Sequence, residues 1–587
     1  MSTQRSSFPG YVPYLLIFGL ALALRLTQLG APPLTDPESD WALQALQVAQ
    51  GAKPLVGSQP AHVLLTSLLF FIFGGTNFLA RLWPALAGSI LVFVPYSFRE
   101  RIKPRPALIL AFALAFDPGL VALSRQAGSP ILAVTFTMLA WATWQSKRSK
   151  LAGVFGGLAL LSGPSLWAGL LGLGLAWAIG RAMDDERLAL NKAKGQTMEE
   201  GQKDNEKQQT SGHWLLITDH VKTAIIYCLG TLLLGGTLFF FSPNGLSAWL
   251  SALPVYLRGW GTPSGVPAGR LLLTLLAYEP LAIILALIGV VRGWWQGSRH
   301  AMRLSLWLLT TLLLALFYPG RQVADLVWML LPLWALASLE LACHLDIQAD
   351  ERIETACVIA LTVIILIFAW LDLAALSGMP LPSAQATTRF WLLGGALLLL
   401  LMSLLFVALG WSARIAKSGA LWGTVIALGV YTLGAAWGAT GLRTPSGVEL
   451  WSPSPGIAQA DLLLQTVDDL SDWSKGHINA QPVTIAGVDS PALRWVLRHH
   501  TVELADVLDP AATPPLVITA QTDSLGLPAA YRGQDFAWRQ TPSWTLIQPA
   551  NWLSWLTLRQ LPQDSENIIL WAREDLFPNE GQTNTTP

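Results

Sequence analysis

Long apolar runs alternate with short polar and basic segments along most of the chain. Three of these runs, Tyr11–Leu29, Leu271–Val291 and Ala356–Leu376, approach the ~20 residues that an α-helix needs to cross a bilayer. The repetition of such runs predicts a polytopic α-helical membrane protein. Beyond residue 440 the apolar segments become short, which predicts a separate soluble domain over residues 441–587.

Composition supports this class and excludes others. Hydrophobic residues make up 52% of the 587 positions, charged residues only 13%, and the mean hydropathy is +0.46. A soluble globular protein carries roughly 25% charged residues. The deficit argues against a disordered protein, a soluble enzyme and a nucleic-acid binder with a basic face. Charge is also unevenly divided, because residues 1–440 hold 29 Lys and Arg against 21 Asp and Glu, whereas residues 441–587 hold 8 against 16.

Basic clusters predict the orientation, since cytosolic loops carry an excess of Lys and Arg. The clusters lie at 99–105, 147–150, 181–207, 292–303 and 414–417. Placing all of them in the cytosol requires thirteen spans, a cytosolic N-terminus and an extracytoplasmic tail in a cell membrane. The predicted spans are 11–29, 78–98, 106–123, 130–144, 151–163, 166–180, 221–241, 271–291, 304–318, 325–342, 356–376, 390–411 and 419–440.

Three parts of the predicted membrane body, residues 1–440, are not predicted to be ordinary membrane spans. The apolar segment 61–75 is assigned to a helix lying in the first external loop, 30–77, because a crossing there would move the 99–105 cluster outside. Residues 40–50 form a second helix in this loop by their apolar periodicity. The short spans 151–163 and 166–180 are predicted to form a buried hairpin, and Gly153 and Gly157 match a close helix-packing motif. Residues 181–220 are predicted to be a cytosolic linker that is disordered over 181–213.

The acidic tail, residues 441–587, has the pattern of an α/β domain. Strand-like segments are predicted at 483–488, 515–520 and 568–572, and helical segments at 491–500 and 552–560. The predicted fold class is therefore a polytopic helical membrane body with a C-terminal extracytoplasmic α/β domain.

Several basic residues of the body lie away from the cytosolic side, where the basic clusters are placed. On this topology eight basic residues of the body are not cytosolic, and several lie where a span meets the outer surface: Arg25, Lys53, Arg81, Arg125, Arg258, Arg270, Arg321 and Arg389. Together they favour an outward cavity that binds an anion, and five of the arginines are candidate substrate-binding residues. Arginine suits phosphate because its planar guanidinium donates two parallel hydrogen bonds. The five candidates are Arg81, Arg125, Arg258, Arg270 and Arg321.

Carboxylates complete the set of candidates. Asp117 and Glu279 lie inside apolar runs, where an ionisable side chain is a functional candidate. Asp36, Glu38 and Asp40 follow the first span, and Asp36 or Ser39 is a candidate N-cap of the helix after them.

These features occur in an order that resembles a known family. The acids before a loop helix are followed by Phe78-Leu79-Ala80-Arg81-Leu82-Trp83-Pro84, then by Phe116-Asp117-Pro118-Gly119 leading to Arg125, then by Tyr318-Pro319-Gly320-Arg321 and Leu331-Pro332-Leu333. The chain resembles the GT-C fold glycosyltransferases, in particular the protein O-mannosyltransferase and aminoarabinose transferase group, glycosyltransferase family 39. The resemblance covers roughly residues 11–345.

The resemblance implies transfer of a sugar from a polyprenyl-phosphate donor to a lipid, glycan or protein acceptor on the outer side of the membrane. The family shows adjacent Asp-Glu in the first loop, where this chain has Asp36-Pro37-Glu38. Alignment on Trp41 matches Glu38 to the family glutamate, and alignment on the acid matches Asp36 to the aspartate. Both are therefore candidate catalytic residues, with Asp36 favoured as base. His62 falls near a family His-Pro-Pro motif and joins the substrate-binding candidates.

The expected chemistry is direct displacement with inversion at the anomeric carbon. A polyprenyl phosphate leaves without protonation, so one carboxylate acting as base is sufficient. Arginines such as Arg125 and Arg321 would stabilise the charge on the departing phosphate. A divalent metal is compatible with this chemistry, but no cluster of ligands in the sequence requires one.

The sequence is also compatible with two functions other than glycosyl transfer. One is a non-catalytic protein of the same fold that assists the assembly of envelope glycans, because the Asp-Glu motif is altered. The other is a transporter, which the absence of a visible inverted repeat disfavours.

Overall fold

The structure is a computed structural model, and it describes residues 10–193, 203–345, 351–379, 383–443, 448–451, 454–522, 524–545, 548–549 and 551–577. Side chains are described over these ranges except at 186–218 and 544–549. The membrane body consists of the helices α1 (Val12–Leu26), α2 (Asp36–Ala49), α3 (Pro60–Phe73), α4 (Asn77–Ile90), α5 (Val94–Ile102), α6 (Pro104–Phe116), α7 (Pro118–Ser124), α8 (Ile131–Gln145), α9 (Ser149–Leu160), α10 (Ser165–Ala193), α11 (Lys203–Gly236), α12 (Asn244–Arg258), α13 (Ala268–Tyr278), α14 (Pro280–Trp295), α15 (Arg299–Phe317), α16 (Val327–Cys343), α17 (Arg352–Ser377), α18 (Ala384–Gly410) and α19 (Ala413–Ala439).

Seven helical segments within the described residues are long and apolar enough to cross a membrane, or nine if two bent pairs each count as one span. Four shorter apolar helices, α1, α3, α8 and α9, accompany them. The polytopic helical class is therefore confirmed. The number of thirteen spans, the side of each loop and the position of α3 in the external loop stay predictions.

Both bent pairs break where an acidic residue precedes a proline. The α6–α7 pair bends by 53° at Asp117-Pro118, and the α13–α14 pair bends by 93° at Glu279-Pro280. Proline has no N–H to donate and disfavours helical backbone in the residue before it, so a helix ends there and a new one starts. Each break therefore places a carboxylate at an interruption of a membrane helix.

Two sequence-based expectations for the body are wrong. The segments 151–163 and 166–180 do not form a buried hairpin, because α9 packs against α8 and α11 while α10 packs against α15, and only 22% of the span at Ser165–Asp185 is buried. The linker predicted at 181–220, with disorder over 181–213, is largely helical, since α10 continues to Ala193 and α11 begins at Lys203. Residues 194–202 of that linker lie outside the described residues.

The predicted close packing at Gly153 and Gly157 is confirmed. A Cβ atom on Gly153 would lie 2.2 Å from the carbonyl oxygen of Ala224, and one on Gly157 would lie 2.8 Å from that of Cys228. Both contacts are with α11, so only glycine allows the two helix backbones to approach this closely.

The C-terminal domain contains a six-stranded sheet. Its elements are β1 (Gly456–Ile457), α20 (Ala460–Lys475), β2 (Val483–Ala486), α21 (Pro491–Val496), β3 (Val502–Ala505), β4 (Leu516–Ala520), β5 (Tyr531–Pro542), β6 (Trp544–Thr545), β7 (Gln548–Pro549), α22 (Trp552–Leu558) and β8 (Gln563–Arg573). The strand order is β1-β5-β8-β4-β2-β3, with β2 parallel to β3 and β4 and the other pairs antiparallel. Strands β6 and β7 form a separate pair.

All five elements predicted for this domain are present. The elements that the sequence pattern did not single out are α20, β3, β5 and the short strands β1, β6 and β7. A buried core between α20, α21 and the sheet includes Leu463, Leu493, Ile518, Phe536 and Leu570.

Two helices of the domain pack against helices of the body. Helix α21 packs against α2 of the first loop, where Trp495 stacks on Phe70 at 5.7 Å between ring centroids and donates through Nε1 to Asn77 at 2.8 Å. Helix α22 packs against α17, and Thr557 donates to Ser377 at 3.1 Å. These contacts hold the domain over the first loop.

Candidate functional site

A cavity of about 700 Å³ lies where the first loop, the helix ends of the body and the C-terminal domain meet. We call it the central cavity. Its wall takes residues from the first loop, the α7–α8 connection, the ends of α12, α15 and α19, and the C-terminal domain, including Thr35, Glu38, Trp41, Arg81, Arg125, Gly128, Tyr256, Tyr318, Asp325, Thr440, Glu449, Ile457 and Gln540. Of the predicted site residues, the central cavity thus brings together Glu38, Arg81 and Arg125.

Glu38 forms a buried ion pair with Arg81. Its Oε1 accepts from Arg81 Nε at 2.7 Å and its Oε2 from Arg81 Nη2 at 2.6 Å, and both side chains are 6% exposed. The backbone N–H groups of Ala127 and Thr35 and the Thr35 hydroxyl also donate to this carboxylate. Burial alone would raise the pKa of Glu38, but the Arg81 charge and these hydrogen bonds lower it below the usual value.

Arg81 also donates hydrogen bonds to backbone carbonyl oxygens between α1 and α2. It donates to the carbonyl oxygens of Leu29 at 3.2 Å, Pro32 at 2.9 Å and Pro33 at 3.0 Å. The pair therefore fixes the chain between α1 and α2. The N-cap of α2 is Thr35, in a capping box with Glu38, and neither Asp36 nor Ser39 has that role.

The carboxylate of Asp36 contacts the C-terminal domain. Its Oδ2 accepts from Arg539 Nε at 2.7 Å, and its Oδ1 accepts from the Ser490 hydroxyl at 2.5 Å and the Ala492 N–H at 3.0 Å. Ser490 is the N-cap of α21, so Asp36 adds a second acceptor at that helix start. Asp40 is exposed and accepts from Gln44, as expected for a solvated position.

Arg125 lies on the wall of the central cavity and caps helix ends. It donates to the carbonyl oxygens of Arg25 at 2.8 Å, Thr27 at 2.9 Å and Thr440 at 2.7 Å. Among the described residues, no carboxylate forms an ion pair with it. Burial, together with the nearby charge of Arg81, lowers the pKa of Arg125 to about 10, so it remains a cation at neutral pH.

Asp117 and Glu279 meet inside the body at the two helix breaks. Asp117 Oδ1 accepts from the Leu120 N–H at 2.6 Å and its Oδ2 from Trp334 Nε1 at 2.6 Å. Both acids are fully buried, and the Glu279 oxygens have no hydrogen-bond partner among the described residues, although the Asp117 carboxyl group lies nearby. Arg25, also fully buried, adds a cation nearby and donates to Ser124.

The other predicted binding residues do not line the central cavity. Arg321 donates to the carbonyl oxygens of Tyr318 and Val266, and its neighbours Gly320 and Gln322 line the wall. Arg258 is exposed at the end of α12, and Arg270 is partly buried in α13. His62 is buried in α3.

Sequence reasoning missed an acidic and aromatic part of the wall. Tyr256 and Tyr318 stack at 5.1 Å beside Asp325, and Glu449 accepts from the Tyr278 hydroxyl. Burial raises the pKa of Glu449, although the Arg559 charge opposes this. The only available signal for Asp325 was its place four residues after Arg321, in a segment already singled out. No group of three or more His, Cys, Asp or Glu side chains that could hold a metal occurs in the described part of the chain.

The architecture is that of a GT-C membrane glycosyltransferase fold, as the resemblance to the aminoarabinose transferase group predicted. The chain is similar to ArnT from Cupriavidus metallidurans bound to undecaprenyl phosphate, with a TM-score of 0.54, 14% identity and coverage of 97% of this chain and 100% of that one. At this identity the likeness shows the fold alone. No family model and no curated protein matches the sequence.

Two further structures have lower scores. The apo state of the same ArnT has a TM-score of 0.46 at 13% identity, over 97% of this chain and 99% of that one. The Archaeoglobus fulgidus oligosaccharyltransferase complex with Zn and sulfate has a TM-score of 0.30 at 12% identity, over 86% and 68%.

Proposed function

We propose that this chain is a membrane glycosyltransferase that takes a sugar from a polyprenyl-phosphate donor and transfers it to a lipid, glycan or protein acceptor at the outer membrane face. The observation that carries the proposal is the central cavity, which is lined in part by the C-terminal domain and has on its wall Arg125, a cation without an ion pair to any described carboxylate. The chain also resembles in fold, over nearly its whole length, a protein whose structure contains undecaprenyl phosphate. This likeness supports a substrate of the same class.

In this proposal Arg125 attracts the donor phosphate. Its guanidinium is held by backbone carbonyls rather than by a carboxylate, so its charge is not neutralised by an ion pair with a described residue. Arg81 adds a second cation to the same wall, although Glu38 neutralises it. Arg321 would act as a further phosphate contact if the segment at Gly320 and Gln322 turns it towards the lipid.

Asp36 and Glu38 are the two candidates for the catalytic base in this proposal. Glu38 accepts five hydrogen bonds, and its lowered pKa makes it a weak base. Asp36 accepts three and retains an unused lone pair on Oδ2, so it is the more available proton acceptor. An inverting displacement through Asp36 would require the acceptor hydroxyl to reach the edge of the C-terminal domain.

A second candidate function is a non-catalytic protein of the same fold that binds the lipid carrier during envelope glycan assembly. The observation that favours it is that both first-loop acids are engaged, Glu38 with Arg81 and Asp36 with Arg539. A carboxylate that neutralises an arginine serves structure without further chemistry.

The first experiment measures lipid binding. Native mass spectrometry of the full-length protein, with undecaprenyl phosphate added, is expected to show a bound lipid, and any co-purified polyprenyl-phosphate sugar would identify the donor. If the protein binds neither, both candidate functions are ruled out.

The second experiment separates the two candidates. Proteoliposomes containing the protein receive radiolabelled polyprenyl-phosphate hexoses and an envelope fraction as acceptor, and consumption of the lipid-linked sugar is followed. Transfer that Asp36→Asn or Glu38→Gln abolishes supports the enzyme. Lipid binding without transfer supports the accessory function. Transfer that neither change affects supports an enzyme with a different base.

A further inference from the structure

The central cavity has a second polar region, formed by Asp325. Three carboxylates lie on its wall within the described residues, Glu38, Asp325 and Glu449. Glu38 is saturated by hydrogen bonds, and Glu449 has one oxygen bonded to the Tyr278 hydroxyl and the other enclosed by protein. Asp325 is therefore the carboxylate that remains open to a ligand.

The bonding of Asp325 leaves one oxygen available. Its Oδ2 accepts from the backbone N–H of Gln322 at 2.8 Å, which fixes the side chain at the start of the helical segment Val323–Cys343. Its Oδ1 accepts no hydrogen bond from any described residue, and the side chain is partly exposed on the cavity wall. A buried or half-buried carboxylate oxygen without a donor is costly unless a solvent or ligand group supplies one.

Two tyrosine rings line the same part of the wall as Asp325. Tyr318 stacks on Tyr256 at 5.1 Å between centroids, with 20° between the ring planes, and its hydroxyl donates to the Tyr256 carbonyl at 2.8 Å. Trp260 packs edge-on against Tyr318 at 5.4 Å. The rings are thereby held rigid, which lowers the entropy lost when a ligand packs on them.

A side pocket of about 20 Å³ opens beside the same residues. It is lined by Tyr256, Tyr318, Asp325 and Trp328 together with Ala168 and Thr311. This volume accommodates about one water-sized group. The carboxylate, the aromatic rings and the small pocket therefore form one continuous recess.

We infer that Asp325, with the stacked Tyr318 and Tyr256, forms the subsite for the sugar of a polyprenyl-phosphate donor. The inference rests on the proposed function and adds to it the residues that recognise the sugar. Sugar hydroxyls would donate to Asp325 Oδ1 in charge-assisted hydrogen bonds, while the apolar C–H face of the ring would pack against a tyrosine. The phosphate would lie at the arginine region of the same cavity, where Arg125 has no ion pair with a described carboxylate.

The test compares two probes on the same full-length protein in detergent. One probe is undecaprenyl phosphate, and the other is a panel of polyprenyl-phosphate hexoses and pentoses. Affinities are measured for the wild type, Asp325→Asn and a matched control, Asp535→Asn, which removes an exposed carboxylate on β5. Asparagine keeps an oxygen that can accept from the Gln322 N–H, so the helix start is preserved.

The expected result is that Asp325→Asn weakens the preferred sugar-bearing lipid by about 10-fold or more and leaves undecaprenyl phosphate within twofold. Asp535→Asn is expected to change neither. An equal loss for both probes, or no loss for either, would overturn the sugar subsite, while binding of the probes by the wild type would still support the proposed function. If the wild type binds neither probe, the proposed function fails and the subsite fails with it.

A second variant separates the aromatic contribution. Tyr318→Leu removes the ring, and Tyr318→Phe retains it while deleting the hydroxyl bond to Tyr256. We expect Tyr318→Leu to reduce the sugar-lipid affinity several-fold and Tyr318→Phe to have a smaller effect. If both variants bind the sugar lipid like the wild type, the tyrosines have no part in the subsite.

Discussion

Asp36 Oδ2 lies 2.7 Å from Nε of Arg539, although the two residues are 503 positions apart in the sequence. This ion pair joins the first loop of the membrane body to the C-terminal domain. It is only about one-fifth exposed on either side, so water screens it incompletely. The residue favoured from sequence as the base is thus also the contact between the two parts of the protein.

Arg539→Gln is expected to loosen the docking of the C-terminal domain. The neutral amide loses the charge-assisted bond to Asp36, so we expect a loss of about 1 kcal/mol in the free energy of unfolding. Hydrogen exchange at α2 and α21 should increase. The control is Arg532→Gln, whose pair with Glu574 is more than half exposed on both sides and should matter little. Equal effects of the two variants would contradict a specific role for Arg539.

Glu38→Gln should destabilise the protein in a pH-dependent way. Because the folded pKa of Glu38 is lowered from its ordinary value of 4.5, its contribution is fully present above that pH and is lost as pH falls through the folded pKa. The variant leaves Arg81 buried without a carboxylate, which costs about 3–5 kcal/mol near neutral pH. Unfolding in detergent between pH 3 and 7 measures this, and a difference independent of pH would contradict the assignment.

Arg125→Lys is expected to weaken undecaprenyl phosphate by about 10-fold, because an ammonium group cannot reproduce the planar guanidinium contacts. Native mass spectrometry measures the affinity, and thermal unfolding reports whether the helix ends at Thr27 and Thr440 have also loosened. Arg352→Lys, at an exposed position, is the control. Unchanged lipid affinity in a folded variant would exclude Arg125 from the phosphate site.

Gly153→Leu should separate α9 from α11. A side chain there meets the backbone at Ala224, and overpacking of this kind costs about 1–3 kcal/mol. Gly156→Leu is the matched control, since a Cβ at Gly156 lies 3.8 Å from its nearest neighbour, the sulfur of Cys228. Thermal unfolding of both variants measures the difference, and equal melting temperatures would contradict the packing at Gly153.

The predicted topology is tested by cysteine labelling in intact cells. In a variant whose three native cysteines are replaced, Lys475→Cys should react with an impermeant maleimide and Lys103→Cys should not. The expectation follows from the basic cluster at 99–105, which is placed in the cytosol. Labelling at 103 with protection at 475 would reverse the orientation.

The sequence by itself determined the features that depend on neighbouring residues. Apolar runs specify membrane helices because a lipid-exposed backbone must satisfy its own hydrogen bonds. The dipeptides Asp117-Pro118 and Glu279-Pro280 mark the helix breaks, and Gly153 with Gly157 marks close packing. The spacing of Thr35 and Glu38 also encodes the capping box, although the sequence alone suggests Asp36 or Ser39 as the N-cap.

Only the tertiary structure decided which of the candidate side chains have hydrogen-bonding groups available to a ligand. Asp36 and Glu38 are two residues apart, yet one contacts Arg539 and the other Arg81, because the partners come from distant segments. Asp325 belongs to no motif, but folding places it on the wall of the central cavity near Tyr318, with an oxygen that accepts no hydrogen bond from a described residue. Sequence identifies residues with suitable chemistry, whereas the hydrogen bonds formed across the fold determine whether that chemistry is left for a ligand.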